Sequence, residues 1–391
     1  MEVGSELELS IDRLAAGGEG VARATDGRVV FVPWTAPGDR VRVRIVECKR
    51  SFARATSVEL LAPSPSRIEP SCEKFGSCGG CSWQHIAYDD QLQAKVAILR
   101  DALARVGHLA IPDSFQVHPS PAPYGYRSRA RLVAEGGRVG YRRRRSRALC
   151  ATTQCPVLLP ALQQALAALA SGADAPPHDG EWELFEGDDG CVRTVRLGTR
   201  QAGPAPSLRA EPGGKPLRVS VGVFAQANAL LRGPLARAVL EASGSGARAV
   251  ELFSGAGFLT LGLAQRYEKL VAVESHRPAV RDLRANLKSA GLSHVRVIAE
   301  PVERFLRSAS PEPAPDLVVL DPPRVGLGRG CAERLARLGA TRIVYLSCDP
   351  ATLARDLSRL VRADYAFSSV AAFDLFPQTP HVEALAVLDR V

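Results

Sequence analysis

Glu251-Leu252-Phe253-Ser254-Gly255-Ala256-Gly257-Phe258-Leu259-Thr260 decides the fold of this chain. An apolar run, 247–253, enters a glycine turn, and a helical pattern follows. Glycines at such a turn let the backbone bend tightly and approach a ligand at the helix N-terminus. Working outward, the strand–helix alternation starts near residue 222. Candidate strands are 247–253, 269–274, 295–300, 316–320 and 342–347, with helical segments between them. This pattern predicts an α/β fold built on a mainly parallel, doubly wound sheet. Two more strands are expected near 367–373 and 384–389.

In such sheets ligands bind beyond the strand ends. The second strand ends at Glu274, 17 residues past Gly257. A carboxylate there can accept hydrogen bonds from both ribose hydroxyls of an adenosine, which suits NAD or S-adenosylmethionine (SAM). Thr260 replaces the third glycine of the dinucleotide pattern, which disfavours a pyrophosphate. The fourth strand ends in Asp321-Pro322-Pro323-Arg324. That run reads either as a helix-entry turn or as the substrate-facing lip of a methyltransferase site. The fifth ends in Ser347-Cys348-Asp349-Pro350, which places a thiol where a nucleophile would stand.

The 391 residues leave room for two or three domains. A hydrophobic share of 46% and a charged share of 23% are those of a globular protein. No run approaches the ~20 apolar residues of a membrane span. Met1 to Ser10 is acidic and mixed, unlike a secretory signal. A cytoplasmic protein without membrane contact is expected. In a reducing compartment its nine cysteines point to metal or catalysis rather than disulfides.

Net charge is +9. Between Pro123 and Cys150 stand nine arginines (127, 129, 131, 138, 142, 143, 144, 145 and 147) and one acid, Glu135. Guanidinium forks suit phosphate, so this stripe predicts a nucleic-acid partner. Residues 1–61 alternate in short strands broken by Gly17-Gly18, Asp26-Gly27 and Pro37-Gly38, which suggests a small β-barrel. Arg42 and Arg44 share one face of their strand. Pro63-Ser64-Pro65-Ser66 reads as a linker. Leu92, Val96, Leu99, Leu103 and Val106 predict one buried helix face. An Ala/Leu helix is expected at 159–170, and loops at 172–180 and 203–216.

Cys72-x5-Cys78-x2-Cys81 lies in a loop with Gly76, Gly79 and Gly80. A fourth ligand is open to Cys150 or Cys155. Four thiolates suit zinc or an iron–sulfur cluster, and three clustered cysteines plus a distant fourth fit [4Fe–4S] better. Cys48, Cys191 and Cys331 read as ordinary core or surface residues.

Together these residues resemble the RNA uracil-5 (m5U) methyltransferase family over nearly the whole chain. The resemblance is closest to the 23S rRNA enzymes with an N-terminal TRAM barrel and a [4Fe–4S] cluster. Ser347-Cys348-Asp349-Pro350-Ala351-Thr352-Leu353-Ala354-Arg355-Asp356 is similar to the nucleophile motif, and His381-Val382-Glu383 to the motif bearing the base. The resemblance implies three domains. They are a TRAM-like, RNA-binding, OB-like β-barrel at 1–61, a central iron–sulfur α+β domain at 62–221, and a Rossmann-like, SAM-dependent catalytic domain at 222–391. The helix at 88–107 would pack on the catalytic domain.

It also implies cluster ligands Cys72, Cys78, Cys81 and Cys155. The implied SAM contacts are Gln226 (in Phe224-Ala225-Gln226-Ala227-Asn228), Phe253, Glu274 and Asp321. Three positions depart from the family. Phe258 stands where Asn is frequent, Asp349 replaces a frequent Asn, and Pro301 occupies an adenine-side polar position.

The implied reaction is covalent. A thiolate from Cys348 adds to uracil C6, C5 attacks the methyl group of SAM, and Glu383 removes the C5 proton. A free cysteine titrates near ~8.5, so Arg324 and the helix N-terminus at Pro350 are candidate sources of positive potential. The uracil must be unstacked to be reached. Tyr124, Tyr126 and Tyr141 read equally as stacking residues or as core. The cluster is expected to be structural and to organise the RNA-binding loops. The partner is RNA, with 23S rRNA favoured over tRNA, and the protein is expected to be a monomer. A non-catalytic RNA-binding protein with a redox-sensing cluster is the rival from another class.

Overall fold

Val41, Val43 and Ile45 point inward and Arg40 and Arg44 outward from one strand, the period of two that builds a half-buried sheet. The computed structural model describes residues 1–112, 115–172, 178–199, 205–210, 214–309 and 313–391. The predicted loops at 172–180 and 203–216 lie partly outside them.

The first six strands are β1 (Glu6–Ser10), β2 (Arg13–Leu14), β3 (Gly20–Arg23), β4 (Val29–Val32), β5 (Arg40–Cys48) and β6 (Phe52–Ala62). They form one sheet in the order β1-β5-β6-β4-β3-β2, closed over its own core of Val30, Val32, Val41 and Ile45. Arg42 and Arg44 do share the outer face of β5. That face is not free for phosphate, because Arg42 pairs with Glu8 and Glu59 and Arg44 with Glu6.

Helix α1 (Tyr88–Arg105) follows, then β7 (Phe115–His118). A second sheet holds β8 (Arg129–Glu135), β9 (Arg138–Arg142), β10 (Leu149–Ala151), β11 (Gly180–Glu186) and β12 (Val192–Arg196) in the order β10-β9-β8-β11-β12. Helix α2 (Pro160–Ser171) covers it with Leu162 and Leu166. Two short strands, β13 (Ser207–Leu208) and β14 (Leu217–Arg218), pair with each other.

The third sheet carries β15 (Gly246–Leu252), β16 (Tyr267–Val273), β17 (Val295–Ile298), β18 (Leu317–Leu320), β19 (Arg342–Ser347), β20 (Tyr365–Phe373) and β21 (Glu383–Arg390). Its order is β17-β16-β15-β18-β19-β21-β20-β7. The first five are parallel and β21 is antiparallel to both its neighbours. Helices α3 (Arg232–Ser243), α4 (Thr260–Leu263), α5 (Arg277–Ala290), α6 (Val302–Ser308), α7 (Cys331–Arg337) and α8 (Pro350–Val361) connect them. The doubly wound reading holds. Its strand order reverses between β15 and β18, the point where such sheets open a crevice.

Two features cross the expected domain lines. β7, from within 62–221, joins the edge of the catalytic sheet beside β20. Helix α1 packs on α8, with Leu99 and Leu103 in one core with Leu353 and Leu357. The buried face of α1 differs from the predicted one: Val106 is exposed, and Gln91 and Lys95 are buried instead. A search for apolar spacing passes over polar side chains that find buried partners. No helix among the described residues is long and apolar enough to cross a membrane.

Candidate active site

The parallel strands bring their C-terminal ends to one edge. Phe253 follows β15, Glu274 follows β16, Asp321 follows β18 and Cys348 follows β19. Strand β21 runs the other way, so it begins at this edge with Glu383. The register pairs Ser347 with Ala384. Cys348 and Glu383, each one step beyond that pair, are therefore neighbours across two strands.

Burial pushes the Cys348 thiol up to about 11, with the Glu383 and Asp321 carboxyls adding to the rise and Arg324 opposing it. Glu383 is buried and held well above the usual carboxylate range, first by burial and then by Asp321. Burial also raises Asp321, to about 7. The site thus gathers three acidic groups around one guanidinium. At neutral pH they cannot all be ionised. Arg324 is fixed from two sides: its carbonyl accepts from Thr352 Oγ1 at 3.1 Å, and its Nη2 lies 3.2 Å from His381 Nε2. Burial, then the Arg324 charge, pushes His381 down to about 4, so its neutral ring accepts that bond.

The helix behind the thiol is built by its sequence. Asp349 caps α8 by accepting from the Thr352 N–H at 2.8 Å, and Pro350 takes the first turn. The departure from Asn at this position therefore keeps the cap.

A narrow pocket lies beside this edge at the β15/β18 crevice, lined by Gln226, Phe253, Gly255, Phe258 and Asp321. Phe253 has φ +62°, a costly conformation outside glycine, and strain of this kind clusters at functional sites. Gly257 has φ +102°, and a Cβ there would meet Leu283 at 2.8 Å. Glu274 is bound in place: its Oε2 accepts from Gly255 N–H at 2.9 Å and its Oε1 from the N–H groups of Ser275 and His276. About four lone-pair positions belong to a carboxylate, so one remains for a ribose hydroxyl. Phe258 lines the pocket with a ring where a polar contact was expected. Pro301 precedes α6 as its N-cap residue and offers no donor. The sequence singled out Thr260 only as a departure from the dinucleotide pattern, and gave Glu251 no role. Both are buried; burial raises Glu251 to about 8, and a hydrogen bond from Thr260 opposes that rise.

A wider groove of about 990 Å³ opens next to the pocket, and Gly255 and Phe224 line both. Phe224 is 69% exposed, an aromatic face that the sequence reading quoted without a role. The groove joins Arg127, Arg131 and Arg143 to Glu274 and Arg324 at the reactive edge. It also reaches Cys72, Cys78, Cys81 and Cys155, whereas Cys150 is buried in β10. The cysteine loop is joined to the basic stripe: Gly79 N–H donates to Arg142 O at 2.9 Å and Arg144 N–H to Ser77 O at 3.2 Å. A Cβ on Gly79 would meet Arg142 O at 3.1 Å. Burial raises Cys78 to about 12 and Cys81 to about 11, and neighbouring thiols add to both. Among the described residues no group of three or more His, Cys, Asp or Glu side chains is already arranged to hold a metal ion.

The stripe divides by burial. Arg129 is a core residue, bonded to Glu183 at 2.6 Å and to the Val223 carbonyl. Arg144 lies over the Trp34 ring, and Arg145 pairs with Glu19 at 2.9 Å, which ties this loop to the N-terminal sheet. Arg131, Arg138 and Arg143 stay exposed. Tyr126 is 1% exposed and donates to Pro377 O, so it belongs to the core and not to a stacking surface.

Known proteins match this arrangement. A family described as tRNA (Uracil-5-)-methyltransferase matches residues 216–391, and the TRAM domain matches residues 1–58. A 23S rRNA (uracil(1939)-C(5))-methyltransferase of Chromohalobacter salexigens is 35% identical, over 98% of this chain and 89% of its own length. An uncharacterized RNA methyltransferase of Thermosynechococcus vestitus is 33% identical, over 98% of both chains. The solved tRNA (uracil-54, C5)-methyltransferase of Pyrococcus abyssi, in complex with S-adenosyl-L-homocysteine, superposes with a TM-score of 0.74 at 25% identity, covering 98% of this chain and 100% of its own. With a strand order that opens a crevice beside a paired thiol and carboxyl, the chain belongs to the RNA uracil-5 methyltransferase family and is a SAM-dependent RNA uracil-C5 methyltransferase.

Proposed function

We propose that this enzyme methylates a uridine of 23S rRNA, with Cys348 as nucleophile and Glu383 as base. The observation that carries the assignment is the β19–β21 register, which makes the two neighbours beside Asp321 of the pocket and Arg324 of the groove. Gln226, Phe253, Glu274 and Asp321 would hold SAM.

SAM supplies an electrophilic methyl group when bound. The Cys348 thiolate bonds to C6, and the C5–C6 electron pair moves into an enolate across C4–C5. C5 takes the methyl group, and the electron pair of the broken C–S bond stays on sulfur in the departing S-adenosylhomocysteine. Glu383 then accepts the C5 proton, the C6–Sγ bond breaks, and the thiolate is regenerated with 5-methyluracil. Glu383 finally gives that proton to solvent. Arg324 offsets the negative charge carried in turn by the thiolate and the carboxylate. The raised Cys348 and Glu383 mean that the pair holds a proton at rest. Losing it is the step that charges the site.

Cys348→Ala should abolish transfer while SAM binding persists, read by methyl incorporation and calorimetry. Retained turnover would remove the nucleophile assignment. The identity of Chromohalobacter and other 23S rRNA enzymes to this chain supports rRNA as substrate. The likeness to a tRNA (uracil-54, C5)-methyltransferase favours tRNA as the second reading. Mapping 5-methyluridine in both RNAs from cells with and without the gene decides between them.

The fold class includes, in our reading, a central iron–sulfur α+β domain. Cys72, Cys78, Cys81 and Cys155 face one groove; burial, with neighbouring thiols adding to it, disfavours bare thiolates at Cys78, Cys81 and Cys155, which suits a cationic centre. These residues would hold a [4Fe–4S] cluster, which gives rigidity to the loop against the arginine stripe. Protein purified without oxygen should be brown and contain iron; stoichiometric zinc would overturn the cluster. The domain limits 61 and 221, a monomeric state and a cytoplasmic location complete this reading.

A further inference from the structure

The loop between β20 and β21 carries His381 and leads into Glu383, and it is pinned at four consecutive carbonyls. Leu375 O accepts from Asn228 Nδ2 at 3.3 Å, and Phe376 O from Lys95 Nζ at 2.9 Å. Pro377 O accepts from Tyr126 Oη at 3.0 Å. Gln378 O accepts from the N–H groups of Ser82 and Trp83 at 2.9 and 3.0 Å. Ser82 directly follows Cys81. Four separate segments of the chain therefore meet on one loop.

Gln378 is the strained member. Its φ is +69° and it is 1% exposed. It is locked by Gln91 of α1, which is fully buried. Gln91 Oε1 accepts from Gln378 N–H at 2.9 Å, and Gln91 Nε2 donates to Gln378 Oε1 at 3.0 Å. Gln91 Nε2 also lies 3.1 Å from Trp83 O and 2.9 Å from Ile86 O, so its two hydrogens are shared among three acceptors. One amide thus fastens both the segment after Cys81 and the loop before Glu383. Two buried glutamines so fully used, at a costly backbone angle, are expensive to retain for packing alone.

We propose that Gln378, locked by Gln91, is a positioning residue: it transmits the placement of the cysteine loop to the catalytic base. This rests on the assignment of Glu383 as base. A base displaced by a fraction of an ångström still allows Cys348 to add and C5 to be methylated. It slows removal of the C5 proton, so the covalent enzyme–RNA species accumulates.

The test compares Gln378→Gly, Gln91→Leu and Glu383→Gln on the full-length protein with its RNA. Glycine adopts φ +69° freely, so Gln378→Gly removes the side chain and leaves every backbone partner; it keeps the test sound if Gln91→Leu fails to fold. In folded variants kcat should fall about tenfold or more with KM for RNA unchanged. An adduct that survives denaturation should accumulate, as in Glu383→Gln. The double variant should be no worse than the worse single one, because the pair acts as a unit. Wild-type kcat overturns the proposal, and so does lost kcat without adduct while Glu383→Gln gives one. If Glu383→Gln gives no adduct, the base assignment falls instead. Then kcat alone judges the clamp: a wild-type value overturns it and a loss at constant KM supports it.

Discussion

Cys348 reacts only when its proton has gone, and its surroundings set how often that is. Burial and the Glu383 carboxyl hold the thiol near 11, while the Arg324 charge acts in the opposite sense. The signs give a paired prediction. Alkylation of Cys348 by iodoacetamide should speed up as pH rises through the alkaline range. Glu383→Gln removes a negative neighbour and should move that profile to lower pH. Arg324→Gln removes the positive one and should move it to higher pH. The rate of labelling of the Cys348 peptide, followed by mass spectrometry, checks both. Shifts in the same direction for the two variants would show that the charges do not face the thiol as described.

Helix α8 shows how an element supports a residue. Its apolar positions Leu353, Ala354, Leu357 and Leu360 are buried against the sheet and α1. Its cap residue, Asp349, adjoins the nucleophile. Asp349→Ala should cost about 1 kcal/mol of stability, measured by urea unfolding, whereas Asp349→Asn should cost little because Asn also caps. Further along, buried Asp356 accepts from Leu327 N–H at 2.7 Å and Tyr345 Oη at 3.0 Å, which ties α8 to the loop that follows Arg324. The nucleophile and its countercharge therefore hang on the same helix. The heptad-like apolar spacing of α1 was legible, but its functional residues were not. Gln91 and Lys95 look like surface positions until their partners, 287 and 279 residues away, are seen.

At the scale of the molecule, the groove turns a charge count into a division of labour. The nine arginines of the stripe look equivalent in sequence, yet only some face the groove free of acid partners. Arg143→Ala should weaken RNA binding across sequences and lower the slope of log affinity against log salt by about 1. Arg129→Ala should instead destabilise the central sheet by about 3–5 kcal/mol, because it leaves buried Glu183 with only the Gly222 N–H and the more distant Arg131. Titration of RNA binding at several salt concentrations, beside thermal melts, separates the two.

The sequence alone determined the strand–helix alternation, the glycine turn, Glu274, Asp321, Cys348 and the cysteine spacing, because each is a local pattern with a local physical cause. Periodicity and turn chemistry act over a few residues, so they are readable in a row of letters. Tertiary structure alone decided how the Glu383 carboxyl, named by the family resemblance, comes to stand beside the thiol. That pairing depends on an antiparallel strand inserted into a parallel sheet and on a one-residue choice of register. It also decided that Arg129 and Tyr126 are core, that β7 belongs with the catalytic sheet, and that Gln91 holds Gln378. Burial and long-range partnership are properties of the folded chain, and no local pattern encodes them.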